Sequence, residues 1–116
     1  MSFSLEHDPV DSGHLVVAEG ELDITATNEL STVLAMAGAS PERSVVLDLI
    51  AVDFIDSSAL GVIMRSAGEL ETTGKVLLVV APDGPVRRLL EITNLTQRFA
   101  LHPTREDALA AAASEF

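Results

Sequence analysis

The stretch from Val45 to Met64, VVLDLIAVDFIDSSALGVIM, constrains the fold more than any other part of the chain. Val45–Ile50 is apolar at nearly every position, the pattern of a central parallel strand covered on both faces. Asp56-Ser57-Ser58 then ends the strand character. From there Leu60, Ile63, Ala67 and Leu70 recur at helical spacing. Two hydroxyls and a carboxylate therefore stand where a helix begins. The first N–H groups of a helix lack intrahelical partners and its dipole favours negative charge there, a setting that suits a phosphate. Asp and Ser are also preferred N-caps, so one of the three can close the helix while Ser58 points outward. Gly61 costs about 1 kcal/mol against Ala in a helix. Its use is close approach, either of the helix to the sheet, the commoner case, or of a partner's backbone to the helix.

The rest of the chain alternates strands and helices. Phe3–Leu5 reads as a short edge strand, followed by a turn-rich Asp8–Gly13 segment. Leu15–Glu19 is strand-like and Gly20 breaks it. Leu30, Val33, Leu34 and Ala37 form one face of a helix that Gly38 stops. Lys75–Val80 is another buried strand. Pro85 suits the first position of a short helix, Val86–Ile92, which carries Arg87 and Arg88. Phe99–Leu101 is a last short strand. Thr104-Arg105-Glu106-Asp107 resembles a capping box and opens an Ala-rich helix to about Ser114. The expectation is one α/β domain over residues 1–116. Its sheet of four to five strands is mostly parallel with an antiparallel edge, and about four helices pack on it. In such sheets the functional crevice lies beyond the carboxyl ends of the strands. Asp23, Asp56, Ser57 and Ser58 all follow strands there.

Charge and composition narrow the function. The 116 residues carry a net charge of −11, and residues 1–56 hold a single base, Arg43. Nucleic acid and anionic membrane surfaces are disfavoured as partners, and a basic protein surface is favoured, although solubility alone explains an acidic face. Scarce aromatics argue against base stacking. The absence of Cys excludes disulfides and thiolate chemistry. With no membrane-length apolar run and no signal-peptide pattern at Met1–Asp8, the chain is expected to be cytoplasmic. No phosphate-cradling Gly-rich loop and no Gly-x-Ser-x-Gly motif is present. His7, His14 and His102 lack metal-ligand spacing and read as surface or turn residues. Asp48, Asp53 and Asp56 invite a Mg²⁺ reading, but their positions do not imply convergence. No metal or cofactor is expected.

Gly20-Glu21-Leu22-Asp23, the strand Val45–Leu49 and Phe54–Ile63 together resemble the anti-sigma factor antagonist family, the stand-alone STAS domain. The order and spacing match across nearly the whole chain, including the Gly74-Lys75 strand entry and the Val86–Ile92 helix. The resemblance implies a partner switch. The unphosphorylated protein binds an anti-sigma factor, a serine kinase of the GHKL type, and the sigma factor is released. The kinase then phosphorylates the antagonist, which dissociates, and a serine phosphatase resets it. By position in the motif the phosphoacceptor falls on Ser58. Asp23, Asp56, Ser57, Ser58, Ala59 and Gly61 fall on the partner-binding surface, with the helix Ser58–Leu70 and the Asp23 loop as its frame. Ala59 departs from the Gly that many members carry, and Ala is the better helix former. With no N-terminal extension before the domain, a multidomain stress-complex subunit is not expected.

Two other functions compete. As a module of a lipid- or anion-transport assembly, the chain would use Asp56-Ser57-Ser58 only structurally. As a weak nucleotide-binding or hydrolysing enzyme it would use Ser58 and nearby carboxylates, without a phosphate loop to support it.

Overall fold

The computed structural model describes residues 3–11, 13–93 and 100–115. Five strands form one sheet in the sequential order β1-β2-β3-β4-β5. They are β1 Phe3–Val10, β2 Gly13–Leu22, β3 Ser44–Ile55, β4 Val76–Val80 and β5 Ala100–His102. The β1–β2 pair is antiparallel and every later pair is parallel. Helix α1 (Thr27–Ala39) follows β2 after a 3-10 turn, Ile24–Ala26. Helices α2 (Ser57–Thr72), α3 (Pro85–Ile92) and α4 (Arg105–Glu115) follow β3, β4 and β5.

The alternation of side chains along β3 and β4 builds two layers of core. Val45, Leu47, Leu49, Leu77 and Val79 face the large cluster that includes α1, α2 and α3 residues. Val46, Leu78 and Val80 face α4 through Ala108 and Ala112. Sequential parallel strands joined by crossovers of one hand place their helices on one face. The terminal helix α4 folds back over the other. The near-continuous apolar run of β3 is thus the signature of a strand buried on both sides.

Several boundaries differ from the sequence-based expectation. β1 does not end at Leu5. It continues through Pro9 to Val10, because an edge strand tolerates a residue without an N–H. β2 does not end at Gly20. Gly20 has φ +90°, and the β2–β3 register shifts on either side of it, so the glycine accommodates an irregularity rather than a stop. Gly38 is the penultimate residue of α1, which ends at Ala39, one residue beyond the expected stop. A Cβ there would stand 3.0 Å from Leu70 Cδ2, so the glycine lets α1 and α2 approach. The last strand begins at Ala100, and Phe99 lies outside the described residues. The Thr104 cap is present: Asp107 N–H donates to its hydroxyl at 3.1 Å.

β3 pairs with β4 only as far as Asp48–Val80, yet stays paired with β2 to Ile55–Leu22. The two strands overshoot the sheet together and carry the residues after them, Asp23 and Asp56, to one end of the molecule. Among the described residues no helix is long and apolar enough to cross a membrane.

Candidate functional site

Asp56 and Asp23 are built as twin caps at this end. The Asp56 N–H donates to the Leu22 carbonyl at 3.1 Å, tying the two strand ends together. The Asp56 side chain caps α2: its Oδ1 accepts the Ala59 N–H at 3.1 Å and the Ser58 hydroxyl at 2.5 Å. The Ser58 hydroxyl, the Ala59 N–H and further backbone N–H groups, including that of Ile24, hold the Asp56 carboxyl below the usual carboxylate range. Asp23 caps the 3-10 turn in the same way, its Oδ1 accepting the Thr25 N–H at 2.9 Å and the Thr25 hydroxyl at 2.5 Å.

The two caps differ in what they show to solvent. Asp23 is buried, so it orders the Ile24 loop from beneath and leaves Ile24 71% exposed. Ser57 is exposed, while Asp56 and Ser58 are half-buried. Ala59, expected at the partner surface, is fully buried and packs into the core. It positions the neighbouring serines from below. Gly61 does not serve helix-to-sheet packing, because a Cβ there would meet nothing within 4 Å. Of the two uses of close approach, the packing one is removed.

Gly61 instead opens onto a groove of about 410 Å³ between the first turns of α1 and α2. Ser57, Ser58, Val62 and Arg65 line it from α2. Ile24, Thr27, Asn28 and Ser31 line it from the other side. Arg65 is the one charged side chain among these lining residues, in a protein of net charge −11. The sequence marks Ser57, Ser58 and Gly61 as site residues but not Arg65 or the α1 side. One signal was available. Arg65 follows Gly61 by one helical turn and Ser58 by two, so all three share a face.

The other candidate residues lie elsewhere. The Asp48 carboxylate is occupied, accepting from Arg105 Nε at 2.7 Å and from the Ile50 N–H at 2.9 Å. Among the described residues no three His, Asp or Glu side chains gather as metal ligands. His7 and His14 are not ordinary turn residues. Their rings stack with centroids 5.2 Å apart, His7 Nδ1 lies 3.0 Å from His14 Nε2, and His14 Nδ1 lies 3.3 Å from Glu42 Oε1. His14 is buried. This cluster sits at the opposite end of the sheet, since His14 pairs with Val45 and Asp56 follows Ile55, roughly 30 Å along β3. It cannot serve Ser58.

Known proteins share this architecture. An anti-sigma-B factor antagonist of Staphylococcus aureus is 30% identical over 95 residues, covering 82% of this chain and 88% of the relative. The crystal structure of an anti-sigma factor antagonist from Mycobacterium paratuberculosis superimposes with a TM-score of 0.88 at 29% identity, covering 96% of this chain and 94% of that one. The anti-sigma factor antagonist SpoIIAA in its unphosphorylated form shares the fold, with a TM-score of 0.80 at 19% identity over 96% and 97% of the two chains. The STAS domain model matches residues 6–108. With the five-stranded sheet, the twin-capped strand ends and this match in hand, the chain belongs to the STAS domain family.

Proposed function

We propose that the protein is an anti-sigma factor antagonist, acting as a single STAS domain and switched by phosphorylation of Ser58. In its unphosphorylated form it binds an anti-sigma factor that is also a serine kinase, and the sigma factor goes free. The kinase moves the γ-phosphoryl group of ATP to Ser58 Oγ. ADP leaves, and the hydroxyl proton passes to a base of the kinase. The modified protein dissociates, and a serine phosphatase restores it. The chain itself is a substrate and a binding partner, not a catalyst.

The observation that carries this proposal is the placement of Ser58. Its hydroxyl stands at the mouth of the groove between α1 and α2, held by Asp56 at 2.5 Å on a rigid helix start. The hydroxyl is ordered and reachable at once. Ile24, Ser57 and the open surface over Gly61 surround it with groups a partner can contact. The names of the Staphylococcus and Mycobacterium relatives support the same role. Phosphate adds a charge of about −1.5 to −2 at pH 7. In an interface that excludes water, a penalty of about 3 kcal/mol lowers affinity roughly 150-fold.

Incubation of the protein with ATP and its native lysate, followed by phosphopeptide mapping, tests the assignment. Label on Ser58 that Ser58→Ala abolishes is the expected result. Label elsewhere, or turnover of ATP by the purified protein alone, contradicts it.

A further inference from the structure

We propose that Arg65 receives the phosphate once it is on Ser58, so that the modified residue folds into the groove and closes it against the partner. The proposal builds on Ser58 as the phosphoacceptor and adds where the phosphate goes.

Three features of the site direct it there. First, the resting contact cannot survive modification. Ser58 Oγ donates its hydrogen to Asp56 Oδ1 at 2.5 Å. Esterification removes that hydrogen and sets a dianion beside a carboxylate. The phosphate must swing away from Asp56. Second, the helix start is already taken. The Ala59 N–H is bound by Asp56, so the capping carboxylate stands where the phosphate would otherwise seat. Third, the groove offers one cation and a clear path to it. Arg65 lies two turns beyond Ser58 on the same face, about 10 Å along the axis. Long side chains on a helix lean toward its N-terminus, which for Arg65 is the direction of Ser58. Between them stands Gly61, which leaves the space open.

Arg65 is also unengaged. Arg87 bridges Asp83 and Glu91, Arg105 binds Asp48, and Lys75 holds the Gly38 and Ser40 carbonyls. Among the described residues the Arg65 side chain has no hydrogen-bond or ion-pair partner. Guanidinium and phosphate form a bidentate, charge-assisted pair. The groups facing the phosphate are few. From α2 they are Asp56 and Arg65. From the opposite wall they are the neutral Ile24, Thr27, Asn28 and Ser31, with Asp23 buried behind the loop.

The test installs phosphoserine at position 58 by amber suppression and follows the ³¹P resonance against pH, in the parent, Arg65→Gln and Arg65→Lys. Asp56 acts equally on all three, so the differences isolate Arg65. The second phosphate pKa, ordinarily about 6, is expected to rise by about half a unit or more in Arg65→Gln, with Arg65→Lys between the two. Arg65 is exposed, so each variant keeps the amide spectrum of the folded protein. Superimposable titrations of the parent and Arg65→Gln overturn the proposal. Because phosphoserine is installed directly, this outcome is separate from a failure of the kinase to modify Ser58, which would instead defeat the assigned function.

Discussion

Among the described residues Asp48 is the buried carboxylate held by a charged partner, Arg105, and removing Arg105 isolates it. Asp48 is 1% exposed, on the face of β3 that α4 covers. Its Oδ2 accepts from Arg105 Nε at 2.7 Å and its Oδ1 from the Ile50 N–H at 2.9 Å. Arg105 stands in the first turn of α4, where the helix dipole disfavours a cation. Its place there is explained by Asp48. Truncation to Ala leaves a buried carboxylate with one neutral donor. Breaking a fully buried pair costs about 3–5 kcal/mol. The Arg105 side chain is 44% exposed, and water entering behind it lowers the expected loss to about 2 kcal/mol. For a chain of this length that corresponds to a Tm lower by roughly 8 °C. Equilibrium denaturation in urea measures it. The double variant Asp48→Asn with Arg105→Ala carries no orphaned charge and is expected to recover about 1 kcal/mol of that loss. A change within about 0.5 kcal/mol for Arg105→Ala, or no recovery in the double variant, refutes the assignment.

Three further outcomes are expected. Gly61→Ala gains about 0.5–1 kcal/mol of stability in denaturation, since its Cβ meets nothing, while binding of the partner weakens as the methyl obstructs the groove floor. Gly13→Ala loses about 1–3 kcal/mol in the same assay, because its Cβ would stand 2.7 Å from the Ser44 carbonyl oxygen, a backbone atom that cannot turn aside. The acid limb of the stability curve depends on Asp56. Its carboxyl is lowered in the folded protein by the Ser58 hydroxyl and the Ala59 N–H. The stabilisation is therefore present above the unfolded-state pKa and is lost as pH falls through the folded one. Denaturation midpoints taken against pH are flatter at the acid end in Asp56→Asn, and identical profiles contradict the cap's role.

What was readable in the chain, and what was not, divides along the range of the interactions. The strand-to-helix turn at Asp56-Ser57-Ser58 was readable because an apolar run, a capping carboxylate and helical spacing all lie within one short segment. The α/β class and the gathering of Asp23 with Asp56 followed from strand order alone. Local signals misled where tertiary placement overrides them. Asp8-Pro9 resembles a turn, yet sits in an edge strand. Gly20 resembles a break, yet accommodates an irregular register. Gly38 resembles a helix stop, yet its role is set by Leu70 on another helix. The Asp48–Arg105 pair and the His7–His14–Glu42 cluster join residues far apart in sequence, and no spacing rule links them. Arg65 was within reach of helical geometry, but only the groove gives its position a meaning.

In the proposed switch, one hydroxyl decides whether the partner stays. Affinity capture from the native lysate with two baits, Ser58→Ala and Ser58→Asp, followed by mass spectrometry, puts it to the test. Ser58→Ala is expected to retain a small GHKL-type serine kinase, and Ser58→Asp is expected to lose it. Two baits holding the same proteins, or neither holding a kinase, contradict it and leave Asp56-Ser57-Ser58 as a helix cap alone.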